Sequence, residues 1–403
     1  MKLVCKSFNT LISSPQFVNE HLQRSVSTNT GQLVILNTTG RGLHAFNFDA
    51  LESPPFYIPF PGTFSNITCI FGSCNGLVYY YRLMVLNPFT GMSFEIPSYF
   101  HSSEMVVSLY MPIACHHIGF GFDDLSNDYK IVLIIATRER WDVIVYSFRA
   151  KSWKTIASPT LSKGSTELKY NDNAALIDNH LLHWIFTEYE NVNRAPLSYS
   201  ERNRCSMIGK IGRIGCFDLR TEQWVDDVGL PKEYDESLGC YSTCETLGVF
   251  DGRLCLLTPT RSEPLLTRVD MWVIKEYGVR DSWVKVLGVS DLGVTSTLRR
   301  CPLGLDYGSI FDSSSEHEIL VFRGNKHPFS RSERLVLIWY NMKQKKIRVS
   351  ELHDVHVEQQ QFYDVCTCTK SLITLPGGTR ITTKRRSLRE KQLIKLIKRM
   401  IYV

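Results

Sequence analysis

The chain has 403 residues, 43% hydrophobic and 21% charged, which are proportions of an ordinary globular protein and exclude global disorder. Its longest strongly apolar run, Ile131 to Ala136, is far too short to cross a bilayer, and Lys6 interrupts any secretory leader. The net charge of +6 makes no case for a nucleic-acid-binding body, because residues 384–403 hold eight Lys/Arg against Glu390 alone and leave everything before them near −1.

The 12 cysteines are scattered, mostly inside apolar runs such as those around Cys69, Cys216 and Cys255. Without a leader they read as reduced thiols of an intracellular protein of the cytoplasm or nucleus.

Taken in order, Leu3, Val4, Phe8, Leu11 and Ile12 fall at helical spacing and make one apolar face. Ser13-Ser14-Pro15 breaks that helix, and Phe17, Val18, His21 and Leu22 suggest a second short one. So short a piece cannot build a core of its own. Val4, Cys5, Lys6, Phe8, Leu11, Ile12, Ser13, Pro15, Phe17, His21 and Leu22 together resemble, in order and spacing, the C-terminal half of a plant F-box. The half of that motif with the Leu-Pro start is absent from this sequence. The resemblance implies a partial F-box over residues 1–25 that contacts the Skp-type adaptor of cullin ubiquitin ligases through Leu3, Val4, Cys5, Lys6, Phe8, Leu11 and Phe17. A stable interface needs about 800 Å² and 20–30 residues per side, so a remnant packed on the body is the competing expectation.

From residue 30 to 375 the chain is strand-like. Apolar residues alternate at Val269, Met271 and Val273, a polar stretch with Gly278 follows, and alternation resumes through Trp283 to Val286: a hairpin with a wide turn. The same plan of strand, polar turn and aromatic or apolar anchor recurs at Asn87–Phe94, Ser147–Trp153, Asp218–Trp224, Tyr277–Trp283 and Asn341–Ile347. The anchors lie 59, 71, 59 and 64 residues apart, beyond the ~40–50 residues of a plain propeller blade, so long connections are inserted. Repeated three- to four-strand units with almost no helix pattern predict a mainly β fold, a β-propeller of about six blades ahead of a β-sandwich. Burial of a Trp removes about 150–250 Å² from water, so anchors such as Trp272 and Trp283 read as packing between units rather than a ligand box.

The body carries a second resemblance. Cys74-Asn-Gly-Leu-Val, Leu86-Asn-Pro-Phe-Thr, Gly119-Phe-Gly-Phe-Asp, Asp128-Tyr-Lys-Ile-Val, Val145-Tyr-Ser-Phe, His183-Trp184, Phe217-Asp-Leu-Arg-Thr-Glu222 and Met271-Trp-Val-Ile-Lys-Glu-Tyr-Gly-Val-Arg-Asp-Ser-Trp283 stand in the order of the F-box-associated domain of plant F-box proteins. The resemblance implies a propeller-like module that recruits target proteins for ubiquitination, with no catalytic residue and no cofactor.

Other chemistry is weakly supported. Asp123-Asp124 could form an acidic pair but sits in a turn context just before a strand. Cys115-His116-His117, Cys366-x-Cys368 and Cys240-x-x-x-Cys244 lack the paired spacing of a zinc site, and neighbours on a strand face opposite ways. Residues 376–403 read as a basic amphipathic tail that lies on the body or meets an anionic partner. The expected function is substrate recognition in a Skp-cullin-F-box ligase. A target protein of unknown identity would be held by the polar segments Leu161–Asn173 and Glu188–Ser206. The alternative is a stand-alone protein-interaction module with no ligase assembly.

Overall fold

Two-residue alternation, interrupted every few residues by Asn, Asp, Ser and Gly, folds this chain into short antiparallel strands. A computed structural model of the chain describes residues 6–28, 32–37, 42–50, 53–59, 70–80, 84–97, 99, 116–136, 141–156, 166–168, 174–189, 209–232, 246–262, 265–290, 312–313, 318–325, 335–341, 344, 346–351 and 365–381. Among these residues the chain divides into two compact units, one formed by Met1–Ile96 with Glu358–Val403 and one by Pro97–Val357.

The first unit opens with helices α1 (Lys6–Ile12) and α2 (Pro15–Ser27). Ser14 caps α2, its side chain accepting from Phe17 N, and Pro15 stands in the first turn, where its missing N–H costs nothing. Strands β1 (Gln32–Asn37), β2 (Gly42–Asn47) and β3 (Phe56–Pro59) follow, then β4 (Ile70–Cys74), β5 (Leu77–Tyr80), β6 (Met84–Asn87) and β7 (Met92–Glu95).

The second unit contains four sheets in chain order. They are β8 (His116–Asp123), β9 (Asp128–Ala136), β10 (Trp141–Ser147) and β11 (Ser152–Ile156); β12 (Thr166–Leu168), β13 (Ala175–Ile177), β14 (Leu181–Tyr189), β15 (Gly209–Asp218) and β16 (Gln223–Val228); β17 (Thr246–Phe250), β18 (Arg253–Ser262), β19 (Leu265–Ile274) and β20 (Trp283–Ser290); and β21 (Asp312–Ser313), β22 (Glu318–Asn325), β23 (Leu335–Asn341) and β24 (Lys346–Glu351). The chain then returns to the first unit through β25 (Val365–Thr369) and β26 (Thr379–Arg380). β25 pairs with β1 to give the order β25-β1-β2-β3, and β26 pairs with β7 to give β26-β7-β6-β5-β4. The fold is mainly β, with the up-and-down four- to five-stranded sheets of a β-propeller and two short helices.

Hairpin chemistry repeats with unusual regularity. Five four-residue turns, after Asn87, Asp123, Ser147, Asp218 and Asn341, begin on a residue whose side-chain oxygen accepts a backbone N–H two or three residues on. In four of them the last loop residue (Gly91, Asn127, Lys151, Glu222) has positive φ. Asn75–Gly76 and Asp251–Gly252 are two-residue turns with both φ positive, the geometry that Asn-Gly and Asp-Gly favour. The recurring hairpin plan is therefore set at its first residue as much as at its aromatic anchor.

Asp123 opens the turn that its context suggested, while Gly119 to Phe122 before it run inside β8, paired with β9. The glycines are there for close approach. A Cβ on Gly119 would meet Leu182 Cδ1 at 2.7 Å, and one on Gly121 would meet Leu219 Cδ1 at 2.6 Å and the Asn179 carbonyl oxygen at 2.7 Å. The next sheet presses directly onto this strand. Behind it Val132, Ile134, Val143 and Val145 pack against Leu182, Trp184, Phe186, Phe217 and Leu219. A similar core joins Ala175, Ile185 and Ile214 to Leu254, Leu256, Trp272 and Trp283.

Asn87 organises the first unit. It is 1% exposed. Its Oδ1 accepts from Phe89 N and Thr90 N, and its Nδ2 donates to the carbonyls of Ser371 (3.0 Å) and Ile373 (2.8 Å). One carboxamide thus shapes the β6–β7 turn and holds the returning segment.

Two stability outcomes follow from these contacts. Asn87→Ala leaves two carbonyls and two N–H groups without this partner and should lower the unfolding free energy by about 3 kcal/mol or more in urea titration. Gly119→Val should cost about 1–3 kcal/mol through overpacking against Leu182 and Trp184, whereas Gly252→Ala, whose Cβ meets nothing within 4 Å, should lose only what its positive φ imposes, about 1 kcal/mol.

Candidate functional site: protein-interaction surfaces

The two N-terminal helices differ in how they meet the body. α2 docks on it: Leu22 is buried, the helix lies against β25, and the His21 ring stacks over Phe89 at 6.5 Å between centroids. Burial, then the charge of Arg24, holds the His21 imidazole below its usual pKa. α1 buries no residue; Phe8 is 47% and Leu11 54% exposed, and Val26 of α2 is 52% exposed. Of the adaptor-contact candidates, Lys6, Phe8 and Leu11 share α1 with exposed side chains, and Phe17 is half-buried on α2. Leu3, Val4 and Cys5 lie outside the described residues. The expectation that this piece leans on the body holds for α2 and not for α1.

The buried polar groups of the second unit hold structure together. Lys130, 5% exposed, puts its Nζ 3.0 Å from Asp123 Oδ2, 2.9 Å from Glu222 Oε1 and 2.8 Å from the Leu219 carbonyl. Burial pulls the ammonium pKa down, but the hydrogen bonds it donates to Glu222 and Asp123 outweigh that and raise it overall. Burial likewise pushes up Asp123 and Glu222, and their hydrogen bonds to Ser126, Lys130 and Lys154 bring both below the usual carboxylate range. All three stay charged near neutral pH, which suits an ion-pair lock between two sheets and suits proton transfer poorly. Asp124 is held in a separate pair by Arg220, Nε–Oδ1 2.6 Å and Nη2–Oδ2 2.8 Å, so Asp123 and Asp124 do not work as one acidic pair.

His183, Tyr277 and Cys216 form a second cluster. The His183 Nδ1–H donates to the Ala175 carbonyl at 3.2 Å, which leaves Nε2 to accept the Tyr277 hydroxyl. That hydroxyl is also 3.2 Å from Cys216 Sγ. Burial lowers the His183 pKa to about 4, raises the Cys216 thiol to about 11 and raises Tyr277 well above its usual value. A neutral imidazole, thiol and phenol make a hydrogen-bonded joint between sheets and offer no nucleophile. Two anchor indoles are tied down in a similar way. Trp153 Nε1–H donates to the Pro97 carbonyl and Trp283 Nε1–H to the Gly229 carbonyl, both at 2.7 Å.

Among the described residues no group of three or more His, Cys, Asp or Glu could hold a metal ion, and no helix is long and apolar enough to cross a membrane. Cys366 and Cys368 stand two residues apart on β25, and neither forms a disulfide. Cys115, Cys240 and Cys244 lie outside the described residues, as does the basic tail beyond Ile381.

The strand directions sort the second unit's connections onto two edges. The tight turns after Asp123, Ser147, Ile177, Asp218 and Phe250 and the wider one after Ile274 leave one edge, and adjacent sheets meet there through Asp124–Arg220, Phe122 N to the Asn179 carbonyl, and His183–Tyr277. The ends of β11, β14 and β20, after which longer stretches of sequence follow, lie at the opposite edge. Of the target-contact candidates Leu161–Asn173 and Glu188–Ser206, only residues 166–168 and 188–189 are described; there β12 pairs with the far end of β14, Thr166 facing Glu188 and Leu168 facing Phe186, and the rest lie outside the described residues.

The cluster around His183 generates a pH signature. Its folded pKa lies below the unfolded value of 6.5, so its contribution to stability is complete above that pH and is lost as pH falls toward 4. Chain unfolding by urea should show about 3 kcal/mol of acid destabilisation that is missing from His183→Phe; parallel pH profiles for the two would count against the assignment.

Comparison with known proteins agrees with this arrangement. The pattern described as "F-box associated beta propeller domain" matches residues 58–375. F-box protein CPR1 from Arabidopsis thaliana is 26% identical over 364 residues, 85% of this chain and 78% of its own length. F-box protein At4g22390 from the same plant is 25% identical over 72% of this chain and 68% of its own, and F-box/kelch-repeat protein At3g23880 is 23% identical over 77% and 78%. Among solved structures, TolB from Acinetobacter baumannii aligns over 86% of this chain and 71% of that one at 11% identity, with a TM-score of 0.41, a likeness on which nothing further rests. With a match spanning most of its length and blades built on that family's motifs, the chain belongs to the F-box associated β-propeller domain family.

Proposed function

We propose that the chain is a non-catalytic substrate receptor of a Skp-cullin-F-box ubiquitin ligase. In this reading it acts inside the cell, with α1 offered to the Skp-type adaptor and the long-connection edge of the second unit offered to a target protein. The observation that carries it is the contrast between the two helices. α2 is anchored through Leu22 and His21, while α1 carries Phe8 and Leu11 about half exposed on a helix that buries nothing. Large apolar side chains presented this way suit a docking contact better than a solvated helix. The relatives are F-box proteins by name, which supports the same reading.

The mechanism is positional. The receptor forms and breaks no bond; it holds a target near a recruited conjugating enzyme. The buried Lys130 and His183 clusters support this, since their polar atoms are taken up by internal partners on neighbouring sheets. Target capture falls to the edge where connections are long, because loops tolerate sequence change that the tight-turn edge does not.

Leu11→Asp should abolish co-purification of the Skp-type adaptor while shifting unfolding free energy by no more than about 0.5 kcal/mol, as expected of an exposed site. Removal of residues 191–206 should abolish target capture and leave adaptor binding and thermal stability intact. A chain that captures targets yet never co-purifies with the adaptor would instead be a stand-alone interaction module.

A further inference from the structure

Ser14 ties α1 to α2. Its hydroxyl donates to the Leu11 carbonyl in the last turn of α1 at 2.8 Å and accepts Phe17 N in the first turn of α2 at 3.3 Å. Ser14 N donates to the same Leu11 carbonyl at 3.0 Å, and Ser13 N to the Asn9 carbonyl at 3.2 Å. α1 has 7 residues and buries none of them. A helix so short does not hold itself in water, so the direction in which it offers Phe8 and Leu11 rests on this turn.

The two helices turn opposite dipole ends toward that hydroxyl: the C-terminal carbonyls of α1 and the N-terminal amides of α2. α1 carries no basic residue in its last turn and α2 no acidic residue in its first, so neither end is offset by its own side chains. A negative charge on Ser14 Oγ would stabilise α2 and destabilise α1. Esterification would keep the acceptor that Phe17 N uses and remove the proton that the Leu11 carbonyl receives. Ser14 is also open to an enzyme. It is half-buried between exposed Ser13, Pro15 and Gln16, and its backbone is extended, φ −67° and ψ 140°, as suits a residue before proline. An extended serine followed by proline is the acceptor that a proline-directed kinase takes.

We propose that Ser14 is a phosphorylation site and that its phosphate withdraws α1 from the adaptor. The γ-phosphoryl group of ATP passes to Ser14 Oγ, the hydroxyl proton leaves to the kinase's base, the bond to the β-phosphate oxygen breaks and ADP departs. The ester carries close to two negative charges at neutral pH, favourable at a helix N-terminus and repulsive at a helix C-terminus. α2 stays docked through Leu22 and His21, while α1 loses the bond that fixes its direction. This rests on the reading of α1 as the adaptor-docking helix and gives that contact a regulator. Its signature is a pair of effects with different signs: a weaker adaptor contact on a chain that is no less stable.

The test measures the affinity of the full chain for purified Skp-type adaptor and its unfolding in urea. The chain is compared unmodified, phosphorylated by a proline-directed kinase with ATP and mapped to Ser14 by mass spectrometry, and as Ser14→Asp, Ser14→Ala and Ser14→Thr. Phosphorylation and Ser14→Asp should each weaken adaptor binding about tenfold while the urea midpoint holds or rises. Ser14→Ala loses both bonds and should lower affinity and midpoint together. Ser14→Thr can make both bonds and should stay within about twofold of the unmodified chain. Adaptor affinity unchanged by phosphorylation would overturn the switch and leave the α1 reading standing. A kinase that modifies a peptide of residues 9–20 but not Ser14 of the folded chain would do the same. No adaptor binding by the unmodified chain would overturn both.

Discussion

The buried carboxamide of Asn87 is the contact on which the first unit depends. Strand β25 pairs with β1 across a sequence separation of 337 residues, as at Gln32 and Thr369. Loop closure grows only logarithmically with length, so going from a ten-residue loop to this one adds about 3 kcal/mol. Register and packing must offset that locally. Five backbone pairings align β25 with β1, the Ser73 hydroxyl donates to the Thr367 carbonyl, and Asn87 takes the next two carbonyls that the segment exposes. Gly76 belongs to the same closure. Its φ of +82° suits its two-residue turn, and a Cβ there would lie 2.2 Å from Ser371 Oγ.

The same economy runs through the second unit. Three of its buried polar side chains span two sheets: Lys130 with Glu222 and the Leu219 carbonyl, His183 with Tyr277, Trp283 with the Gly229 carbonyl. Such groups are costly to bury unless satisfied, and these three find their partners on the neighbouring sheet. Groups committed in this way are unavailable for chemistry on a ligand. The proposed binding roles fall instead on the helix pair and on the edge where β12 joins β14.

Much of this was legible in the sequence because period-two alternation and turn residues are local signals. The hairpin around Val269 to Val286 appears as β19 and β20, with a 3-10 turn at Arg280–Ser282 filling its wide connection. The anchors Trp272 and Trp283 are buried packing residues as their spacing suggested. What stayed hidden was non-local. Gly119 and Gly121 look like turn residues until the sheet that presses on them is known. Lys130 gives no sign of reaching Glu222, because no pattern links residues so far apart in sequence. Asn87 was visible as part of a motif, but its grip on Ser371 and Ile373 could not be read from either stretch alone. At the N-terminus the apolar spacing placed the helices, while which of them would be buried depended on Phe89 and β25.

The central claim is that the blades are scaffold and that binding resides at the helix end and on the long connections. It is tested most directly by hydrogen exchange of the full chain with and without purified Skp-type adaptor. The expected result is new protection confined to residues 6–28, with the strands of both units unchanged. Protection along the tight-turn edge around Asp124, Arg220 and Tyr277, or none at the helices, would contradict it.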